Sequence, residues 1–216
     1  MKTLKVTTMI LLSMLAMTTT IYGQNMKQTK AELNEKASKA AKKEAKGLIK
    51  EGWKAAPGAL PLEKQLDRSY MFQLATDDDM NDLYITGNGK SVGEVYDAAK
   101  MQATEVARLE LASKIGSECT GMIDNLVANK QLPKDEAASI ATLMSENKTI
   151  FSQKLGRLKT VVEAYRELPN KNKEVMIRLF AKTADIQNIA KSAIRDELEK
   201  RGIKMTDELN AMLSNK

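Results

Sequence analysis

Between Val92 and about Ala128, Ala99, Ala103, Ala107, Leu111 and Ile115 recur at every fourth position, with Val95 and Val106 alongside. This recurrence keeps side chains on one ridge of a helix, and a ridge of small residues lets that helix sit close against a sheet or another helix. The spacing predicts one long helix, and any fold for the chain must supply a close-fitting surface for it.

The segment leading into that helix is "ITGNGKSVGEV", Ile85 to Val95. A P-loop reads G-x-x-x-x-G-K-[ST], and Gly89-Lys90-Ser91 supplies only its end. The first glycine would fall at Tyr84, whose side chain blocks the backbone wrap that turns N–H groups toward phosphate. Gly87, Gly89 and Gly93 also miss G-x-G-x-x-G by one residue, which spoils the dinucleotide fingerprint. The segment therefore reads as a strand-to-helix turn with glycines at positive φ. Ser91 is its expected helix N-cap, and Glu94 completes a capping box. No nucleotide and no other cofactor is expected.

Other elements follow from period and turn chemistry. Tyr70–Ala75 and Leu83–Thr86 read as strands around a turn at Asp77–Asn81. Residues 158–168 and Val175–Lys182 read as a second hairpin joined by "PNKNK", with Val175, Ile177, Leu179 and Ala181 facing one way. "QLPKDEAASIATLMSENK" is a shorter helix with Pro133 in its first turn. A closing helix carries Ile186, Ile189, Ala190, Ala193, Ile194 and Leu198 on one stripe and stops at Gly202. The order ββαββα argues an α+β fold: an antiparallel sheet of about four strands, helices packed on one face, and an N-terminal lysine-rich helix in addition.

Residues 1–23 read as a signal peptide. Lys2 and Lys5 precede the short apolar run Met9–Met17, and cleavage is expected after Gly23. No cysteine lies near the cut to carry a lipid, and no later stretch approaches the roughly 20 apolar residues of a membrane span. Residues 24–56 hold the lysine-rich helix, 57–69 a linker marked by "APGALP", 70–202 the α+β domain, and 203–216 a short C-terminal helix or tail. Residues 27–54 carry nine lysines against four glutamates. The stripe of this helix (Leu33, Ala37, Ala41, Leu48, Ile49) is mostly alanine and buries little area, so the helix reads as an arm outside the core, with Trp53 as its one large anchor. Lys39, Lys42, Lys43 and Lys46 read as spread around much of its circumference, which is the ordinary solvated helix.

The chain contains no histidine, which removes His-based triads and His-containing zinc or haem sites. Its single cysteine, Cys119, cannot form an internal disulfide and reads as a buried, inert thiol. Asp77, Asp79 and Asn81 have the 1-3-5 spacing of an EF-hand loop. Asp82 stands where that loop needs glycine, however, and Asn88 where it needs glutamate, so Asp77–Asp82 reads as an ordinary turn and no metal is expected.

"YITGNGKS" followed by "AAKMQATEVARLELASKIGSECTGMI" resembles a pattern found in small outer-membrane lipoproteins of the LPP type and in the N-terminal domain of the flagellar assembly protein called T. The matching positions are Gly87, Gly89, Ala99, Ala103, Ala107, Leu111, Ala112 and Ile115, and the resemblance covers about residues 70–200. The lipidated cysteine is missing and the lysine-rich helix is additional. What the resemblance implies is an envelope-located, non-catalytic domain that packs against other proteins.

The expected function is thus an exported, non-catalytic structural or protein-interaction module of the cell envelope, in the periplasm or at the outer-membrane periphery. Its expected partners are envelope proteins, peripheral membrane association is compatible with it, and no nucleic acid is expected. Two alternatives stay open. One is polyanion binding through Lys39, Lys42, Lys43 and Lys46; the other is a histidine-free hydrolase working with carboxylates alone.

Overall fold

The computed structural model describes residues 31–214 apart from 147 and 157; the expected signal peptide lies outside the described residues. The described chain is α+β. A helix over 31–50 (α1) leads to the two-residue strand β1 (Lys54–Ala55), then α2 (Leu62–Gln73), β2 (Tyr84–Gly93) and the long α3 (Tyr96–Ala128). After it come α4 (Lys134–Glu146), α5 (Lys148–Lys154), the hairpin β3 (Lys159–Glu167) and β4 (Lys173–Lys182), α6 (Thr183–Lys200) and α7 (Asp207–Leu213). The sheet order is β1-β3-β4-β2, antiparallel throughout.

The alanine ridge of α3 lies directly on β2, and the glycines are the reason it can. A Cβ on Gly89 would run into the carbonyl oxygen of Ala103 and lie 2.8 Å from the Ala107 nitrogen. One on Gly87 would lie 2.6 Å from Leu111 Cγ. Ala99, Ala103, Ala107, Leu111 and Ile115 are all fully buried. The glycine–serine stretch is therefore part of a ten-residue strand and not a turn, which corrects the sequence expectation. Its glycines serve close approach to a helix, and their φ is not positive. Ser91 sits in the strand and donates to Gln102, while Val95 precedes α3 without a side-chain cap.

β2 is an edge strand, and α3 also covers part of its free side. Glu110 accepts from the Asn88 N–H at 2.6 Å, and Lys114 donates to the Thr86 carbonyl. Ladder groups that could pair with another chain are thereby occupied.

Two further expectations are corrected. Tyr70–Ala75 is not a strand: residues through Gln73 belong to α2, which starts at Leu62 inside the expected linker. Leu62, Gln65, Leu66 and Ser69 follow a helical period of three and four and are buried. Nor do helices pack on one face only. Val175, Ile177, Leu179 and Ala181 join α3, α4 and α6 in the larger core, whereas Met176, Val162 and Ala164 form a second core with Ala41, Ala45, Trp53, Leu62 and Leu66. β4 is nearly continuous in apolar residues, the pattern of a strand covered on both sides. The hairpin, the closing helix with Gly202 at φ 67° and the tail helix lie where the sequence places them.

Candidate interaction site

Ala37, Ala41 and Ala45 recur every four residues on α1 and are buried. Alanine removes little apolar surface from water, but it allows close approach, and the helix docks along this stripe onto the second face of the sheet. Docking fixes which positions face outward. Lys39, Lys42, Lys43, Lys46 and Lys50 are all exposed. At about 100° per residue they fall within roughly 100° of arc, opposite the alanines. The expectation that the lysines surround the helix is corrected: they form one stripe.

The one acid between Lys39 and Lys50 is turned away from that stripe. Glu44 Oε1 accepts from Arg178 Nη2 at 3.1 Å, with only 14% of the arginine side chain and 25% of the glutamate exposed. Arg178 also donates to Ser69 Oγ at 2.8 Å and to Asn88 Oδ1 at 3.2 Å, linking α1, α2 and β2 from the centre of the sheet. The outer face of the helix from Lys42 onward is therefore uniformly cationic. At its start Glu35 accepts from Lys39 at 2.6 Å. That hydrogen bond, followed by the lysine's charge, holds the Glu35 carboxyl below the usual carboxylate range. Both side chains are well exposed, so water and salt screen the pair. Lys39 and Lys43, or Lys42 and Lys46, are like charges one turn apart, an arrangement that disfavours an isolated helix. Ile49, 60% exposed, lies beside the stripe.

Trp53 is placed differently from its expected role as an anchor for a partner. It is 2% exposed and closes the second core. The Arg166 guanidinium lies 4.8 Å and Lys90 Nζ 5.4 Å from its ring centre, and its indole N–H donates to Glu51 at 3.3 Å. The cause is local. Gly52, at φ 87°, ends α1 with the Gly52 N–H on the Ile49 carbonyl and the Trp53 N–H on the Leu48 carbonyl. That cap folds the chain back so that Trp53 enters the second core, against which Leu48 also packs. The Gly-Trp pair after the last periodic residue is the sequence signal for this turn. Lys50, an outward residue absent from the expected set, is signalled by its spacing from Lys39, Lys43 and Lys46.

The Asp77 turn uses its acid internally. Asp77 accepts from the Asn81 N–H (2.8 Å) and side-chain amide (3.1 Å) and then from the Asp79 N–H (3.0 Å), and these bonds, in that order, lower its carboxyl pKa. Among the described residues, no three His, Cys, Asp or Glu side chains gather in a metal-holding group. Cys119 is buried against the Ala190 carbonyl oxygen at 3.7 Å, and burial pushes its thiol up to about 12, far from a reactive thiolate. No described helix is long and apolar enough to cross a membrane.

No known protein family, characterised protein or solved structure matches this chain.

Proposed function

We propose that the mature chain is an exported, non-catalytic module of the cell envelope that docks onto an acidic surface of a partner protein through the outer face of α1. The supporting observation is the separation of charge on that helix. Five lysines point outward in one stripe, of which Lys39 pairs with Glu35 at the start, while Glu44, the one acid between Lys39 and Lys50, is held inward by Arg178. Such a stripe raises the encounter rate with an acidic partner and makes binding sensitive to salt. The signal-like N-terminus and the resemblance to LPP-type envelope domains support the location. Because α1 is docked on the sheet, the stripe is presented as a fixed surface, which lowers the ordering cost of binding.

The test is cross-linking in fractionated cells with the wild type and with a Lys39/Lys42/Lys43/Lys46→Gln variant of unchanged fold. Capture of the same envelope protein by the wild type, lost in the variant and weakened by roughly half-molar salt, is the expected result. Equal capture by both proteins would remove the stripe from the reading. Transfer of binding to vesicles of anionic lipid would replace a protein partner with a membrane surface.

A further inference from the structure

At the end of the sheet near the start of α6, an open cleft of about 660 Å³ is bounded by Leu155, Gly156 and Leu158, the last residues of β4 and the end of α2. Its size falls in the range of small-molecule sites. Three aromatic rings form its wall. Phe72 meets Tyr84 edge-on at 4.5 Å between ring centres and Phe180 at 5.1 Å. The chain has only nine aromatic residues, so three at one cleft is a concentration. Phe72 and Tyr84 are half-buried, leaving part of each ring open.

Lys154, Lys159 and Lys182 line the same cleft. Lys159 Nζ lies 5.1 Å from the centre of the Phe72 ring. Lys154 pairs with Asp196 at 2.9 Å, and Asp185 is the acid among the lining residues. Three lysines against Asp185 leave the lining with a positive balance, carried chiefly by Lys159 and Lys182, which are exposed.

We infer that this cleft binds a small amphipathic organic anion, with its apolar body against Phe72 and Tyr84, which the buried Phe180 backs, and its carboxylate or comparable head at Lys159 and Lys182. A free polar anion would leave the aromatic wall without use, and a neutral apolar ligand would strand the lysines against it. An anionic head on an apolar chain satisfies both halves. This site is separate from the α1 stripe and does not depend on the function proposed for it.

The test is titration calorimetry on the full mature chain with decanoate below its micelle concentration, beside decyltrimethylammonium and acetate. One decanoate should bind per chain, with acetate and the cation weaker by at least roughly tenfold. A Lys159→Gln/Lys182→Gln variant, altered only at exposed positions, should lose roughly tenfold in decanoate affinity with its melting temperature unchanged. A Lys39/Lys42/Lys43/Lys46→Gln variant should bind decanoate as the wild type does. Absence of decanoate binding, equal binding of the cation, or loss of binding in the α1 variant but not in the cleft variant would each overturn the inference.

Discussion

Arg178 on β4 and Glu44 on α1 are joined at 3.1 Å across the second face of the sheet, and this pair sets the rotation of the N-terminal helix. Without it α1 would be held by its alanine stripe and, at its C-terminal end, by Leu48 and the Trp53 turn, and alanines pack almost equally well over a range of helix rotations. Removing the arginine should leave Glu44 half-buried without its counter-charge. Arg178→Met is expected to cost about 1–3 kcal/mol, less than a fully buried pair because both groups keep some contact with water. The Arg178→Met/Glu44→Gln double variant should be more stable than Arg178→Met alone. Urea unfolding of the four proteins measures the coupling, and strict additivity would mean that the pair does not set the helix.

The N-terminal helix is part of the folded unit. Its alanine-rich sequence alone predicts that deletion leaves the melting temperature nearly unchanged; the second core argues the opposite. Deleting residues 24–54 would bare Leu66, Val162 and Ala164, each 0% exposed in the intact chain. A drop of more than about 10 °C, or failure to fold, is expected in thermal unfolding. Trp53→Ala, which removes the largest side chain of that core, should cost about 3–5 kcal/mol. Trp53→Phe, which keeps a ring for Arg166 to stack on, should recover much of this.

Two glycine substitutions separate close approach from flexibility. Gly89→Ala places a methyl group against the backbone of α3, where neither strand nor helix can yield, and should cost more than about 4 kcal/mol or prevent folding. Gly121 sits in α3, and a methyl group added there would meet nothing within 4 Å. Gly121→Ala should stabilise the protein by about 0.5–1 kcal/mol through helix propensity. Denaturant unfolding of the pair gives opposite signs if the glycines of β2 are packing devices.

The regular part of this fold is legible in periodicity. Val175, Ile177, Leu179 and Ala181 bury the predicted face, although Met176 and Phe180 between them are buried as well, and Ile186–Leu198 repeats at helical spacing with Ile189 only half-buried. The elements that differ from expectation have short or two-sided signals. Tyr70–Phe72 looks like strand sequence because Tyr70 and Phe72 are aromatic, yet Leu62, Leu66 and Ser69 before it carry a helical period that a reading from Tyr70 onward cannot see. Gly87 and Gly89 read as turn residues because glycine is common in turns. Their actual role depends on Ala103 and Ala107, which lie well over ten residues away and meet them only in the folded sheet. The lysine stripe is present in the spacing from Lys39 to Lys50, whereas the inward turn of Glu44 needs Arg178, more than a hundred residues later. The aromatic cleft joins α2, β2 and β4 and has no local sequence signal.

Cys119 gives a test of the larger core by pH. Burial against α6 disfavours the thiolate and, with the nearby charge of Glu118, pushes the thiol up to about 12. In the unfolded chain a cysteine titrates near its ordinary value of about 8.5. Above that value the unfolded state releases a proton that the folded state keeps, so the unfolded state gains stability as pH rises. The contribution of the neutral buried thiol is thus fully present below about pH 8.5 and is lost progressively as pH climbs through the folded value. Wild-type stability should fall more steeply than that of Cys119→Ala between about pH 9 and the folded value, as measured by urea unfolding at each pH. The variant should start lower at neutral pH by about 1 kcal/mol, since it leaves a small void beside Ala190. Thiol labelling at about pH 8 should be slow in the native protein and fast in urea. Rapid native labelling together with parallel pH profiles would mean that the face of α3 at Cys119 opens to water and that α6 does not seal it.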